Sequence, residues 1–257
     1  MIAGEPSWDL TGKVAVVTGG SRGLGREICR AYARHGATVV VASRKEDACV
    51  ALADEITRET GRETLGIGCH VGHWAQCDAL ADTVRDRCGH IDVLVNNAGL
   101  SPVYPSLAEV TEELFDKVFA VNLKDAFRLS AVIGSRMAEG GGGSIINISS
   151  IAAIAPTPRE LPYAAAKAGL NTLAGGMARA FGPTVRVNTI MPGPFLTDIS
   201  KAWDMDAFER VARTQIPLGR GGRPNEIVGA ALYLASDAST YTNGSAIVID
   251  GGLTSSR

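Results

Sequence analysis

Short apolar runs alternate with longer amphipathic stretches along almost the whole chain. Lys13–Thr18 (KVAVVT), Ala37–Ala42 (ATVVVA), Thr64–Val71 (TLGIGCHV) and Ile91–Asn96 (IDVLVN) are compact and apolar, the signature of strands buried on both faces. Between them, Arg26–His35, Glu46–Thr60 and His73–Cys88 repeat their apolar positions at helical spacing. Thr111–Met137 reads as one long helix with an acidic start, followed by a fifth strand at Ile145–Ile148 and an Ala-rich helix from Tyr163 to Phe181. A sixth strand at Val185–Ile190, a helix opened by Arg223-Pro224 and running through Ala235, and a seventh strand at Ser245–Asp250 complete the pattern. Strands and helices alternating in this order imply a parallel sheet with right-handed crossovers.

The irregular stretches carry their own information. Gly140–Gly143 reads as a flexible turn before the fifth strand, and Met191-Pro192-Gly193-Pro194 breaks any regular structure. Phe195–Gln215 has mixed polarity, with Phe195, Leu196, Ile199, Trp203, Met205 and Phe208 among its apolar positions. This stretch, about 194–215, is either a mobile flap over a bound substrate or a plain surface helix, since its periodicity fits both. No repeat, low-complexity tract or linker marks a second domain, so residues 1–257 are expected to form one.

Composition narrows the function. With 46% hydrophobic residues and a net charge of -2, the chain reads as an ordinary soluble protein with no call for nucleic acid or an acidic membrane as partner. Residues 1–12 lack the basic and apolar regions of a secretory signal, and no apolar run reaches the length of a membrane span. Cys29, Cys49, Cys69, Cys77 and Cys88 form no C-x-x-C pair, which points to reduced thiols in a cytoplasmic compartment and to no metal site.

The chemistry gathers at strand ends. The first strand runs into Gly19-Gly20-Ser21-Arg22-Gly23-Leu24-Gly25 and then a helix. Glycines admit a phosphate close to the backbone, and the helix start offers free N–H groups and a positive dipole end. A dinucleotide site expects an acid roughly 20 residues further on to hold a free ribose 2′-hydroxyl, or an arginine to hold a 2′-phosphate. Ser43-Arg44-Lys45 stands there, with no acid before Glu46, and Arg22 is placed to close on the same phosphate; NADP(H) is the expected cofactor. The small residues of Asn97-Ala98-Gly99 leave room for a ligand above the fourth strand, and His70 is read as a packing or adenine-edge residue. Asn122 interrupts an apolar helix face, as a structural hydrogen-bond junction or as part of a polar chain to the site.

Tyr163 and Lys167 lie four apart on one helical face, downstream of Ser149-Ser150 at the end of the fifth strand. A phenol ionises at about pH 10, so an adjacent ammonium that favours the phenolate would make it a workable acid/base nearer neutrality, with a serine hydroxyl to hold a carbonyl oxygen.

Taken in order, Thr18–Gly25, Asn96-Asn97-Ala98-Gly99, Asn122, Ser150, Tyr163-x-x-x-Lys167, Pro192-Gly193 and Asp250-Gly251-Gly252 resemble the short-chain dehydrogenase/reductase family over about Leu10 to Leu253. The resemblance implies an α/β fold, a Rossmann-type doubly wound parallel seven-stranded sheet with helices on both faces, and a homotetramer formed through the long helices. It implies Tyr163 as general acid/base, Lys167 lowering its pKa and holding the nicotinamide ribose, Ser150 polarising the carbonyl, and Asn122 positioning a water. Cofactor contacts are implied at Gly19, Ser21, Arg22, Gly23, Leu24, Gly25, Ser43, Arg44, His70, Val71, Asn97, Ala98, Gly99, Tyr163, Lys167, Pro192, Gly193, Phe195 and Thr197. Within the family, Ala42–Lys45, Cys69–Gly72 and Ser149–Ala153 look like the NADP-dependent carbonyl/retinol reductase group, whose peroxisomal members end in Ser-Arg-Leu where this chain stops at Ser255-Ser256-Arg257. The implied activity interconverts a ketone or aldehyde with its alcohol. Ile151, Ile154, Leu161, Trp203 and Phe208 suggest an apolar or aromatic substrate; a 3-oxoacyl thioester and a non-catalytic NADP-binding scaffold are the rival readings.

Overall fold

The computed structural model describes residues 7–198, 200 and 203–255. The strands β1 (Val14–Thr18), β2 (Thr38–Ser43), β3 (Thr64–Gly68), β4 (Val93–Asn96), β5 (Gly143–Ile148), β6 (Val185–Pro192) and β7 (Ala246–Ile249) form one parallel sheet in the order β3-β2-β1-β4-β5-β6-β7. The order runs outward in both directions from β1 and β4, so the loops leaving these two strands diverge to opposite faces and open a crevice between them. That crevice is where the glycine loop and Asn97-Ala98-Gly99 stand.

Alternation along the strands sends residues to two separate cores. Ala15 and Val17 face one core with Ile28 and Tyr32 of α1 (Gly23–Arg34), Leu52 and Ile56 of α2 (Glu46–Thr60), and Ala231 and Leu234 of α8 (Val228–Ala235). Val14 and Val16 face the other, with Leu80 and Val84 of α3 (Trp74–Cys88), Leu129 and Ile133 of α5 (Asp125–Glu139), and Ala174 and Met177 of α6 (Leu161–Ala180). A sheet covered on both faces needs strands without a polar side, which is why these runs read as continuously apolar. The Tyr32 hydroxyl donates to Ala231 O at 2.9 Å and so ties α1 to α8 inside the first core.

Several boundaries differ from the sequence reading. The stretch expected as one helix from Thr111 to Met137 is α4 (Glu112–Phe119), a π turn at Ala120–Lys124, and α5. The π turn is centred on Asn122, whose amide nitrogen donates to Val118 O at 2.9 Å and to Leu100 O at 2.8 Å, a side-chain insertion that widens the helix. β3 stops at Gly68, so His70 and Val71 lie in the turn beyond it. β6 continues through Met191 to Pro192, which pairs with Ile249. A proline is tolerated there because a terminal strand residue need not donate to the ladder. The helix expected from Tyr163 starts at Leu161, with Pro162 in its first turn where a missing N–H costs nothing. Pro224–Ile227 is a 3-10 turn leading into α8, and Gly143, expected in a turn, opens β5.

One close approach depends on a missing side chain. α2 lies over β3 so tightly that a Cβ at Gly66 would stand 2.3 Å from Val50 N and 2.5 Å from Val50 Cα. Gly66→Ala must therefore push α2 off the sheet, with an expected loss of about 2–3 kcal/mol in denaturant unfolding. Gly229→Ala in α8, where a Cβ meets nothing within 4 Å, should instead gain about 0.5–1 kcal/mol. Equal effects from the two variants would contradict the packing described.

Candidate active site

The glycine loop is shaped by contacts that exclude side chains. A Cβ on Gly19 would sit 2.9 Å from Ala98 Cα, and one on Gly25 would sit 2.5 Å from both Asn97 Nδ2 and Gly19 O. Gly23 holds φ +56, a left-handed conformation suited to glycine. Leu24 packs on the first core and anchors the loop's end. The Asn97 side chain faces this loop rather than open space: its Nδ2 donates to Thr18 O at 2.9 Å and Gly19 O at 3.2 Å. The Thr18 hydroxyl accepts from the N–H groups of Asn97 and Ala98 at 3.0 and 3.1 Å, locking the ends of β1 and β4 together. α1 begins here with no side-chain cap and no acid in its first turn, so its free N–H groups and positive end face the crevice.

Further along the crevice, Ser43 Oγ donates to Ser21 Oγ at 2.9 Å, joining the end of β2 to the glycine loop. Arg22 and Arg44, the next residues after these serines, are exposed and line one cavity. His70 lies against His73 with ring centroids 4.6 Å apart and planes tilted by 49°, and its Nδ1 accepts from Gly72 N at 3.2 Å. Val71 is buried, and its carbonyl accepts from the Cys77 thiol at 3.2 Å. At the opposite end, Pro192 leads into Gly193, where a Cβ would stand 2.6 Å from Asp250 Cβ. Phe195 is buried and bridges to Gly222, and Thr197 Cβ stands 3.6 Å from where a Gly23 Cβ would lie. The second half of the expected flap is α7 (Met205–Gln215), with Trp203 and Phe208 in ring contact at 5.2 Å; Ile199 of that stretch, like Ser256 and Arg257, lies outside the described residues.

Ser150, Tyr163, Lys167 and Asn122 come together above β4 and β5. Ser150 Oγ accepts from Ala152 N at 3.1 Å, capping a 3-10 turn at Ile151–Ala153, and keeps its own hydrogen for the Tyr163 hydroxyl. Lys167 Nζ lies 5.7 Å from the centroid of the Tyr163 ring and donates to Ile148 O at 2.8 Å. A Cβ on Gly99 would sit 3.0 Å from Asn122 Oδ1 and 3.6 Å from Lys167 Nζ, so only a glycine lets these groups converge. The hydrogen bonds of the fold make Asn122 a junction: its amide bonds Leu100 and Val118, and Gly99 lies between it and the lysine.

Electrostatically, burial outweighs the cation. The Tyr163 ring keeps some solvent contact, but its hydroxyl is enclosed, and burial pushes the phenol up to about 12 against a lowering hydrogen bond from Ser150. Burial also draws the Lys167 amine down to about 8, opposed by the negative charge of Asp125. The expected pull of the ammonium on the phenol is thus not what dominates within the chain itself.

Asp125, Ser130 and Asn147 were assigned no role from the sequence, and Asn96 entered only as part of the Asn96-Asn97-Ala98-Gly99 motif. The Asn96 amide nitrogen donates to Ser130 Oγ at 2.9 Å and Asn147 Oδ1 at 2.8 Å, a buried polar seam beneath the site. Tyr104 is a further unexpected member, donating to Pro158 O at 2.8 Å and accepting from Leu161 N at 2.9 Å, which fixes the loop before α6. Polar residues inside an apolar helix or strand pattern, as at Asn96 and Asp125, are the signal that would have found the seam.

Comparison with known proteins agrees with this architecture. The family model described as Enoyl-(Acyl carrier protein) reductase matches residues 19–254. D-threitol dehydrogenase from Mycolicibacterium smegmatis is 39% identical over 247 residues, 95% of this chain and 94% of that protein. Dehydrogenase/reductase SDR family member 4 from Bos taurus is 36% identical over 95% of this chain and 88% of its own length. The crystal structure of a gluconate 5-dehydrogenase from Burkholderia cenocepacia in complex with NADP and tartrate superposes with a TM-score of 0.91 at 34% identity, covering 96% of this chain and 97% of that one. The chain belongs to the short-chain dehydrogenase/reductase family of oxidoreductases.

The buried lysine generates a test. Its folded pKa of about 8 lies below its unfolded value of 10.5, so between these pH values the unfolded chain binds the extra proton. Stability carried by this group therefore rises with pH across that window. Relative to Lys167→Met, wild type should gain up to about 3 kcal/mol in unfolding free energy as pH is raised through it. A stability difference that stays flat with pH would show that the amine is not buried as a charge.

Proposed function

We propose that this protein is an NADP(H)-dependent oxidoreductase that interconverts a ketone or aldehyde and the corresponding alcohol. The observation that carries the reading is the convergence of Ser150, Tyr163, Lys167 and Asn122 at the carboxyl end of β4 and β5, beside a crevice built to take a dinucleotide.

The chain's own groups fit that cofactor. The Gly19–Gly25 loop and the uncapped start of α1 would hold the pyrophosphate, since a side chain at Gly19 or Gly25 would fill the space. Ser21, Arg22, Ser43 and Arg44 would hold the adenosine ribose and its 2′-phosphate, with no acid at that position to repel it. His70, Val71, Asn97, Ala98 and Gly99 would border the adenine and ribose, and Pro192, Gly193, Phe195 and Thr197 the nicotinamide. When bound, the nicotinamide supplies a hydride to the carbonyl carbon or accepts one from the alcohol carbon.

The protein's part is to place the carbonyl and move the proton. Ser150, whose oxygen already accepts from Ala152 N, directs its hydrogen at the substrate oxygen and polarises the carbonyl. As the carbon is reduced, Tyr163 passes its phenolic proton to the same oxygen, and takes it back in the oxidative direction. Lys167 holds positive charge near the phenol and favours the transient phenolate, while Asn122 sets the backbone of the π turn beside the amine. Ile154, Leu161 and Trp203 are exposed apolar groups, which supports an apolar or aromatic substrate, with α7 and Trp203 as its expected cover. The relatives that act on threitol and gluconate make a hydroxylated carbonyl the second substrate class to test. Exposed Phe115 and Phe127 on α4 and α5 support association into a homotetramer through these helices, and cytoplasmic residence fits a sequence of this composition.

Tyr163→Phe should retain NADPH binding and lose turnover with a panel of ketones and aldehydes by about 10³-fold or more, read as NADPH oxidation. Undiminished turnover in that variant would remove Tyr163 from the mechanism, and absence of turnover in wild type across the panel would favour a non-catalytic NADP-binding scaffold.

A further inference from the structure

Lys117 belongs to none of the motifs above. It is exposed on α4, yet it lines the same cavity, about 530 Å³, as Arg22 and Arg44. These three cations come from three separate elements: the glycine loop, the turn after β2, and α4. The imidazole of His70 sits within reach of this charge. Its basicity is held below the usual range first by burial, then by His73, and further by both Arg44 and Lys117. Two elements distant in sequence thus project positive charge onto the turn where the adenosine end of a dinucleotide would rest.

Glu113 is the one acid among the residues lining the cavity, four positions before Lys117 on α4. That spacing suits a Glu–Lys pair along a helix. Nonetheless, among the described residues neither Lys117 nor Arg22 nor Arg44 makes an ion pair with an acid. Three like charges around one cavity repel one another, and the arrangement becomes favourable when a multivalent anion enters. NADH brings no charge to the ribose 2′ position; NADPH brings a phosphate.

We propose that Lys117 is a specificity-determining residue that closes the 2′-phosphate pocket from the α4 side, so that cofactor selection is shared among Arg22, Arg44 and Lys117. This rests on the NADP(H) reading above. The bland alternative is a solvated lysine whose natural neighbour is Glu113.

The test is a set of dissociation constants for NADPH and NADH, by cofactor fluorescence, in wild type, Arg44→Ala and Lys117→Gln at low and high ionic strength. Lys117 is exposed, so the glutamine variant keeps the fold, which a thermal melt verifies. Wild type should favour NADPH. Lys117→Gln should weaken NADPH about fivefold and NADH less than about twofold, and should flatten the salt dependence of NADPH binding. If Arg44→Ala lowers the NADPH preference and Lys117→Gln leaves both the preference and the salt dependence unchanged, Lys117 is a solvated lysine and the NADP(H) reading stands. If wild type binds both cofactors equally, the NADP(H) reading fails and this proposal fails with it.

Discussion

A primary amine carried into the protein interior is the costliest group at this site, and much of the surrounding architecture serves to hold it. Lys167 is almost wholly buried, and among the described residues its Nζ has one hydrogen-bond acceptor, the carbonyl of Ile148 at the end of β5. A charged group so enclosed is retained only where neighbouring dipoles and charges offset its desolvation. Here those are the Ile148 carbonyl and the Asn122 oxygen across Gly99; Asp125 also favours the charged amine, but burial pushes its own carboxyl well above the usual range and weakens that support. The same enclosure raises the phenol of Tyr163. The two groups are thus driven toward their neutral forms by one cause, and proton chemistry at the site depends on what enters to offset it.

The sheet order explains why this happens where it does. Because the order of strands reverses at the β1–β4 pair, the ends of those strands are the place where backbone loops part and leave N–H groups facing outward. Thr18 and Asn97 keep the two loops from collapsing onto each other, with the threonine hydroxyl accepting two backbone hydrogens and the asparagine amide bracing the glycine turn. Gly19, Gly25 and Gly99 supply room on either side of that brace. The crevice and the buried amine are therefore consecutive parts of one cleft, the first suited to phosphate and the second to proton transfer.

Much of this was legible in the chain. Continuous apolar runs such as KVAVVT gave strands buried on both faces, and their alternation with amphipathic helices implied the parallel sheet that is observed. The shared face of Tyr163 and Lys167 followed from their spacing, since a four-residue interval on a helix fixes one, whereas Ser150 rather than Ser149 was expected from the family resemblance. What spacing does not carry is energy. It brings the lysine near the phenol, but the balance of desolvation against charge depends on how much protein covers both, and that is set by residues far away in sequence. The π turn at Asn122 was hidden for a similar reason: an amide that bonds Val118 and Leu100 widens the helix, and Leu100 is remote from the helical repeat. The Asn96–Ser130–Asn147 seam was overlooked because its members come from β4, α5 and β5, and only the fold brings them within hydrogen-bonding distance.

The central claim is that Tyr163 is a weak acid in the protein alone and becomes a useful one through the charge gathered around a bound oxidised dinucleotide and Lys167. Its most direct test is the titration of the Tyr163 phenol, followed by NMR in protein carrying ¹³C-labelled tyrosine, with and without saturating NADP⁺. The account predicts titration at about 12 in the protein alone and a clear fall toward neutrality with NADP⁺, a fall that Lys167→Met abolishes. A phenol that titrates at the same high value in both states would contradict it.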